Sequence, residues 1–295
     1  MVFEKISLSK LQSYLDFFNK MYDAVRLVDP LHKKVIEYQN NGSQEAAEAC
    51  YSYWSSGRIC ENCVSVRAYK EQKSFMKLEH CPNAIMLVTA LPVDTQEQAV
   101  VLELLKNATD TMMIGKGDYN KGAVLFNAVQ DINDMVVRDE LTSLYNRRFM
   151  DDRLPVDIVN AMVNKRPISV IFIDVDNLKN TNDLFGHCAG DQILKCAADV
   201  IQRSIRANLD WAARYGGDEF VVCLNNASYE EASEISEGIY TAFATTSCSI
   251  QGQNIPITVS QGLVTMPEAG MTADELIRLA DEKMYEEKRR RKVNR

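Results

Sequence analysis

Along the 295 residues, apolar positions switch between helical and strand spacing. Leu8, Leu11, Leu15, Phe18 and Tyr22 recur at helical spacing, which predicts an amphipathic helix over 7–23. Two short strand-like runs follow, AVRLVD (24–29) and KKVIEY (33–38), joined through Pro30 and Leu31. The cysteine-bearing stretch after them reads as a helical middle. Three more strand-like runs, at 74–81, 83–93 and 97–106, close the region. Two strands, a helical middle and three strands predict a small antiparallel sheet with helices on one face.

Gly115, Lys116, Gly117 and Asp118 then read as a hinge. Beyond it Leu125, Val129, Ile132 and Val136 follow at spacings of 4, 3 and 4, an a/d seam. That seam fits a short two-stranded coiled coil or a helix docked on its own domain; spacing alone leaves both open. The second half alternates. A continuously apolar strand, ISVIFIDV (168–175), precedes helical sequence at 189–207, strands at 211–215 and 219–224, and a helix at 229–245. A strand at 256–265 and a last helix at 273–288 complete it. The order βαββαβ with a closing helix predicts an α+β sheet in the ferredoxin style. The expected organisation is a first domain over 1–115, a linking helix over 116–138 and a second domain over 139–295.

Composition narrows the function classes. At 46% hydrophobic and 25% charged residues, the chain is an ordinary globular sequence, neither disordered nor collagenous. A net charge of −8 argues against a broad basic face for nucleic acid, and a phosphorylated substrate would need a metal ion beside the carboxylates. The apolar stretches are too short to span a bilayer, and the N-terminus carries no apolar signal core, so a cytoplasmic protein without a membrane partner is expected. In that compartment the eight cysteines are reduced thiols, either buried or acting as ligands. Cys50, Cys60 and Cys63, with Cys81 downstream, are raw material for a zinc or iron–sulfur site, a redox dithiol, or structural thiols. Their spacing leaves the three open. His32 reads as a surface residue, and Tyr51, Tyr53 and Trp54 as core or pocket wall.

The chemistry gathers around Asp174, Asp176 and the run RYGGDEF (214–220). A carboxylate closing an apolar strand is costly unless it emerges at an edge or binds something. Gly216 and Gly217 between two apolar runs signal a hairpin turn, and Asp218 and Glu219 follow at once. Glycine backbone lets N–H groups approach a phosphate, while acids from neighbouring strands can share Mg²⁺ with phosphate oxygens. Such a place suits metal-assisted phosphoryl transfer.

Read with RDELTSLYNRR (138–148) and FIDVDNLKNTNDLFGHCAGDQIL (172–194), that run makes residues from about 138 to 295 resemble the GGDEF diguanylate cyclases, over a little more than half of the chain. The resemblance implies a fold related to the polymerase palm, and a reaction in which two GTP give cyclic di-GMP and two pyrophosphates across a homodimer. It implies Mg²⁺ (or Mn²⁺) held by Asp174, Asp218 and the carbonyl of Val175, with Asp218 a candidate for taking the 3′-OH proton and Glu219 a second acid. Asn182 and Asp191 match the guanine-reading residues. His187 sits where the family keeps a histidine near the nucleotide, with a packing role as the alternative. Asn177, Leu178, Lys179, Gly216 and Gly217 fall where the triphosphate is held, and Lys288 matches the lysine of a YxxK pattern that neutralises it.

Several positions depart from the family. Lys292 stands near a customary phosphate-binding arginine, without its bidentate geometry, and Ser143 replaces a common glycine. An inhibitory product site would need arginine at Ala207 together with Asp210; Arg206 is one residue off, so weak or absent product inhibition is expected. The first half, by its element order and its Cys50, Cys60 and Cys63, resembles a PAS sensor domain. The readings that compete are a catalytically silent module binding GTP or cyclic dinucleotide, an enzyme for adenine-containing cyclic dinucleotides, and a first half serving only as a metal-binding dimerisation module. Intact Asp174, Asp218, Glu219, Asn182 and Asp191 argue against the first, and Asp191 against the second.

Overall fold

A computed structural model describes residue 15 and residues 17–39, 42–54, 58–81, 84–93, 95, 99–109, 135–267 and 270–293. The chain divides into two compact units, Met1–Val136 and Val137–Arg295. The hinge at 115–118 and most of the seam at 125–136 lie outside the described residues, as does most of the helix expected over 7–23. Of that helix, Leu15, Phe17 and Phe18 are described and helical.

In the first unit, β1 (Ala24–Asp29), β2 (Lys34–Gln39), β3 (Gly42–Ala49), β4 (Phe75–Cys81), β5 (Ala84–Val93) and β6 (Val100–Asn107) form one antiparallel sheet in the order β3-β2-β1-β6-β5-β4. A 3₁₀ turn, Cys50–Tyr53, and helix α1 (Val64–Glu71) lie between β3 and β4. Strand β3 corrects the expectation that the helical middle begins straight after β2. Its sequence, GSQEAAEA, has helical propensity, but the open edge of β2 offers a backbone ladder and pairing prevails. Both faces of the sheet are covered, not one. Val28, Val88, Ala90, Val101 and Leu105 pack with Val64 and Ala68 of α1. Leu27, Ile36, Leu102 and Leu104 pack with Leu15, Phe18 and Tyr22. The alternation along β6 explains this, since successive side chains point to opposite faces.

The second unit holds β7 (Tyr145–Asn146), α2 (Arg147–Val163), β8 (Ile168–Val175), α3 (Leu178–Phe185), α4 (His187–Ser204), β9 (Trp211–Gly216) and β10 (Glu219–Asn225). Helix α5 (Tyr229–Thr245), the hairpin β11 (Ser247–Ile250) and β12 (Gln253–Pro256), β13 (Val259–Thr265) and α6 (Ala273–Val293) follow. The five-stranded sheet runs β13-β8-β10-β9-β7, with β8 buried along its whole length. Ile171, Ile173 and Val175 point into a core built with α4 and α5. The intervening residues face α6, which packs along β13 and β8. Its close approach needs Gly262: a Cβ there would lie 2.1 Å from the carbonyl oxygen of Ala280. The strand expected over 256–265 begins at Val259, because residues 253–256 pair with β11 instead. The helix expected over 189–207 is α4, and a separate helix, α3, precedes it across Gly186 where none was expected. Helix α2 is an element the apolar pattern did not disclose.

Candidate active site

The site forms where strand β8 leaves the core. Antiparallel pairing sets Asp174 opposite Glu219 of β10 on one side and Ser260 of β13 on the other. Residues directly opposite in a ladder share a face, so Asp174 and Glu219 stand side by side on the face that α6 covers. The turn before β10 is pinned to β8, because the Val175 N–H donates to the carbonyl of Asp218 at 3.0 Å. Gly217 takes φ +31° in that turn, a backbone conformation that favours glycine. Asp176 is fastened from β13: its N–H donates to the Thr258 carbonyl at 2.9 Å, and Ser260 Oγ donates to its Oδ1 at 2.9 Å.

A second set of bonds shapes the turn from below. Arg214 donates through Nε and Nη2 to the Gly217 carbonyl at 3.1 and 2.7 Å, and through Nη1 to Asp139 at 3.2 Å. Asp139 also accepts from the backbone and hydroxyl of Thr142. Burial alone would raise the Asp139 carboxyl, but Thr142 and Arg214 together hold it below the usual carboxylate range. The DELT and RYGG segments are thus one clamp, a link that the two motifs do not show separately.

Charge in the cleft is one-sided. Asp174 is 7% exposed. Burial pushes its carboxyl up, Lys288 opposes, and Asp218 and Asp176 push it further up. Glu219 is raised as well, by burial and then by Asp174, Asp218 and Asp281. Lys288 reaches in from α6, its Nζ donating to Asp174 Oδ1 at 2.5 Å. Burial alone would lower that amine, but Asp174 holds it above the usual lysine value. One ammonium does not balance these acids, and hard oxygen donors at a strand end suit a divalent cation. Among the described residues, no three His, Cys, Asp or Glu side chains are gathered closely enough to enclose a metal by themselves. A cation here would complete its shell with backbone, substrate or water oxygens, as Mg²⁺ commonly does.

The other expected residues divide into two groups. Asn177 takes φ +59° and turns the chain sharply from Asp176 into α3, leaving the N–H groups of the first turn, near Leu178 and Lys179, without helical acceptors. Asn182, on α3, lies against α4. Its Oδ1 is buried without a hydrogen-bond partner, and a Cβ on Gly190 would come within 2.0 Å of it. Asp191 and His187 are exposed on α4, on either side in sequence of Gly190, against which Asn182 packs. At the C-terminal end, Arg291 and not Lys292 carries the described contacts. Its Nη1 donates to the Val259 carbonyl at 2.6 Å and lies 4.0 Å from Asp176 Oδ2, its Nη2 meets Glu287, and its guanidinium covers the Tyr240 ring. Lys292 is helical, with its side chain outside the described ones.

Arg206 and Asp210 form a closed pair. Arg206 donates through Nε and Nη2 to both Asp210 oxygens at 2.8 Å, and its Nη2 reaches the Asn225 carbonyl. The Asp210 side chain is fully buried and also accepts from the Asn225 N–H. In the first unit, Cys50 is buried and Cys60, Cys63 and Cys81 are half-buried, all four as free thiols.

Comparison with known proteins bears on the second unit. The family described as "Diguanylate cyclase, GGDEF domain" matches residues 136–294. The probable diguanylate cyclase DgcT of Escherichia coli K12 is 35% identical over 166 residues, covering 56% of this chain and 36% of that protein. Diguanylate cyclase DosC of the same organism is 37% identical over 153 residues, covering 52% and 33%. The chain therefore spans about a third of the length of these relatives. Among solved structures, the coiled coil and GGDEF domain of Caulobacter crescentus DgcB, in complex with c-di-GMP, matches with a TM-score of 0.53 and 27% identity, covering 56% of this chain and 87% of that one. Pseudomonas aeruginosa SiaD, in complex with its activator SiaC, matches with a TM-score of 0.52 and 25% identity, covering 56% and 63%.

Proposed function

The chain belongs to the GGDEF diguanylate cyclase family, and from that premise we propose that it condenses two GTP into cyclic di-GMP and two pyrophosphates as a homodimer. The observation that carries this reading is the ladder register that sets Asp174 beside Glu219, with Asp218 in the adjoining turn. Asp174, Asp218 and the Val175 carbonyl would hold Mg²⁺ (or Mn²⁺), which when bound supplies charge neutralisation at the phosphates and a lowered barrier to forming the attacking alkoxide.

The chain's own residues do the rest. Lys288 exchanges part of its bond with Asp174 for the triphosphate, so bringing in the nucleotide releases a cation already aimed at the cleft. The turn at Asn177 and Leu178 offers N–H groups to phosphate oxygens, with Lys179 beside them. Gly216 and Gly217 leave room for close approach. Arg291, 4.0 Å from Asp176, adds a second cation beside Lys292 at this end of the cleft. Asn182 has an unpaired buried oxygen ready for a donor, and the Asp191 carboxylate accepts from guanine N1–H and N2–H₂, which adenine lacks. His187 flanks that pocket. Each ribose 3′-OH attacks the α-phosphorus of the nucleotide on the partner, losing its proton toward Asp218 or Glu219 while pyrophosphate leaves. Positioning and fixed charge supply most of the rate.

The first unit, with two strands, a hairpin partner, a short helical segment and three strands in one antiparallel sheet, supports the PAS-like sensor reading. In this reading it occupies 1–115 and acts through residues 116–138 on a cyclase domain over 139–295. No described helix is long and apolar enough to cross a membrane, and the proposed compartment is the cytoplasm. With Asp210 consumed by Arg206 and Asn225, product inhibition at that position is weak or absent. Incubation of the purified protein with GTP and Mg²⁺, with Asp218→Ala in parallel, tests the proposal. Cyclic di-GMP from the unmodified protein alone supports it. GTP binding without product at any protein concentration would leave a silent nucleotide-binding module.

A further inference from the structure

Lys33, between β1 and β2, is 3% exposed and takes φ +59°. Its Nζ donates to Cys63 Sγ at 3.3 Å, and its carbonyl accepts from the Cys50 N–H at 2.8 Å, which holds Cys50 close by. Among the described residues, Asp29, Glu103 and Glu79 are engaged elsewhere. Asp29 accepts from Leu31, His32 and the His32 ring; Glu103 is bound by Arg26 and Ser65; Glu79 pairs with Lys77. A buried ammonium needs a partner, and among the described residues the acceptor of the Lys33 Nζ is the Cys63 sulfur.

Cys63 differs from the neighbouring thiols in two ways. It receives the Lys33 N–H, and it is the residue that precedes α1, at the positive end of that helix's dipole. Both features favour negative charge on the sulfur as it attacks. Burial by itself would push the Lys33 amine down, but Cys63 foremost holds it above the usual lysine value. Burial pushes the Cys50 thiol up to about 12 and raises Cys60 as well, so both remain S–H at neutral pH. Cys60 and Cys63 are half-buried, which admits a small oxidant.

We propose that Cys63 is an oxidation site for hydroperoxides, with Lys33 as its positioning residue and Cys60 as the resolving thiol. The Cys63 sulfur attacks the terminal peroxide oxygen and the O–O bond breaks. Cys63 becomes a sulfenic acid, and the departing oxygen takes a proton to leave as water or an alcohol. The Cys60 thiol then displaces the sulfenic hydroxyl, giving the Cys60–Cys63 disulfide and a second water. Two electrons pass from the two thiols to one peroxide. The disulfide changes the acceptor of the Lys33 Nζ at the start of α1, which makes the local fold sensitive to oxidation.

The test uses the reduced full chain with limiting hydrogen peroxide at neutral pH, with and without dimedone, and maps every cysteine by mass spectrometry; it does not depend on cyclase activity. With dimedone, the adduct at Cys63 should form about tenfold faster than at Cys188, the exposed cysteine. Without it, the peptide holding Cys60 and Cys63 should be lighter by two hydrogen atoms. In Lys33→Met the Cys63 rate should fall about tenfold, and in Lys33→Arg it should largely recover. The proposal is overturned if Cys188 is oxidised as fast as Cys63 in the unmodified protein, a comparison that needs no variant to fold. It also falls if a folded Lys33→Met keeps the full rate.

Discussion

The two sheets treat buried charge in opposite ways. In the six-stranded sheet the carboxylate of Glu103 is closed off: Arg26 donates to it at 2.6 Å, Ser65 caps its other oxygen, and the Arg26 guanidinium lies over the rings of Tyr53 and Trp54. In the five-stranded sheet Asp174 and Glu219 are crowded with like charge and share one ammonium. A closed network holds a fold together. An unbalanced one at a strand end stores unfavourable charge that a cation and a phosphate relieve. The contrast separates structure from function without reference to motifs.

The comparison breaks most visibly at Asp174. Asp174→Asn should lower cyclase activity by about a thousandfold or more, because a metal ligand and charge stabilisation are lost together. The same variant, without metal, should melt no lower than the unmodified protein. A large drop in melting temperature would show that the acid is structural. Glu103→Gln should do the reverse. Breaking a buried charge pair from one side costs about 3–5 kcal/mol, so urea denaturation of the first unit should shift strongly while the second unit keeps its cyclase site.

Gly190→Ala is expected to act at an intermediate level. The added methyl would displace Asn182, which lies 2.0 Å from that position, and KM for GTP should rise about tenfold with a smaller change in kcat. An unchanged KM would remove Asn182 from base recognition. The smallest effect concerns pH. Asp174 and Glu219 are raised in the folded state, so their contribution favours folding at acid pH and is lost as pH rises from the ordinary carboxylate range through their raised values. Without metal, Glu219→Gln should therefore raise the melting temperature at neutral pH by about 1–3 °C, and Mg²⁺ should reduce the difference. A fall in melting temperature would mean that Glu219 is paired in the fold.

Much of this was legible in the residues. The helix at 229–245 and the strands around 168–175 and 219–225 lie where apolar spacing predicts, because their cores are continuous or alternating runs. Strand β3 was not legible: GSQEAAEA has the propensity of a helix, and only an unpaired neighbouring edge makes it a strand. Nor was the Arg214–Asp139 clamp, since an ion pair between residues 75 apart leaves no local pattern. Arg291 was hidden in a run of cations, where composition cannot tell which one turns inward.

By itself, the sequence determined the family, the acids at 174, 218 and 219, and the two glycines that make their turn, because local backbone needs and motif order are written along one dimension. The tertiary structure decided which charges are balanced. It closed Arg206 on Asp210, brought Lys288 to Asp174 and set Lys33 against Cys63. The last two pairings join residues distant in the chain, and even the local Arg206–Asp210 pair is closed by the Asn225 backbone; their energies depend on burial and distance, which exist only once the sheets have formed.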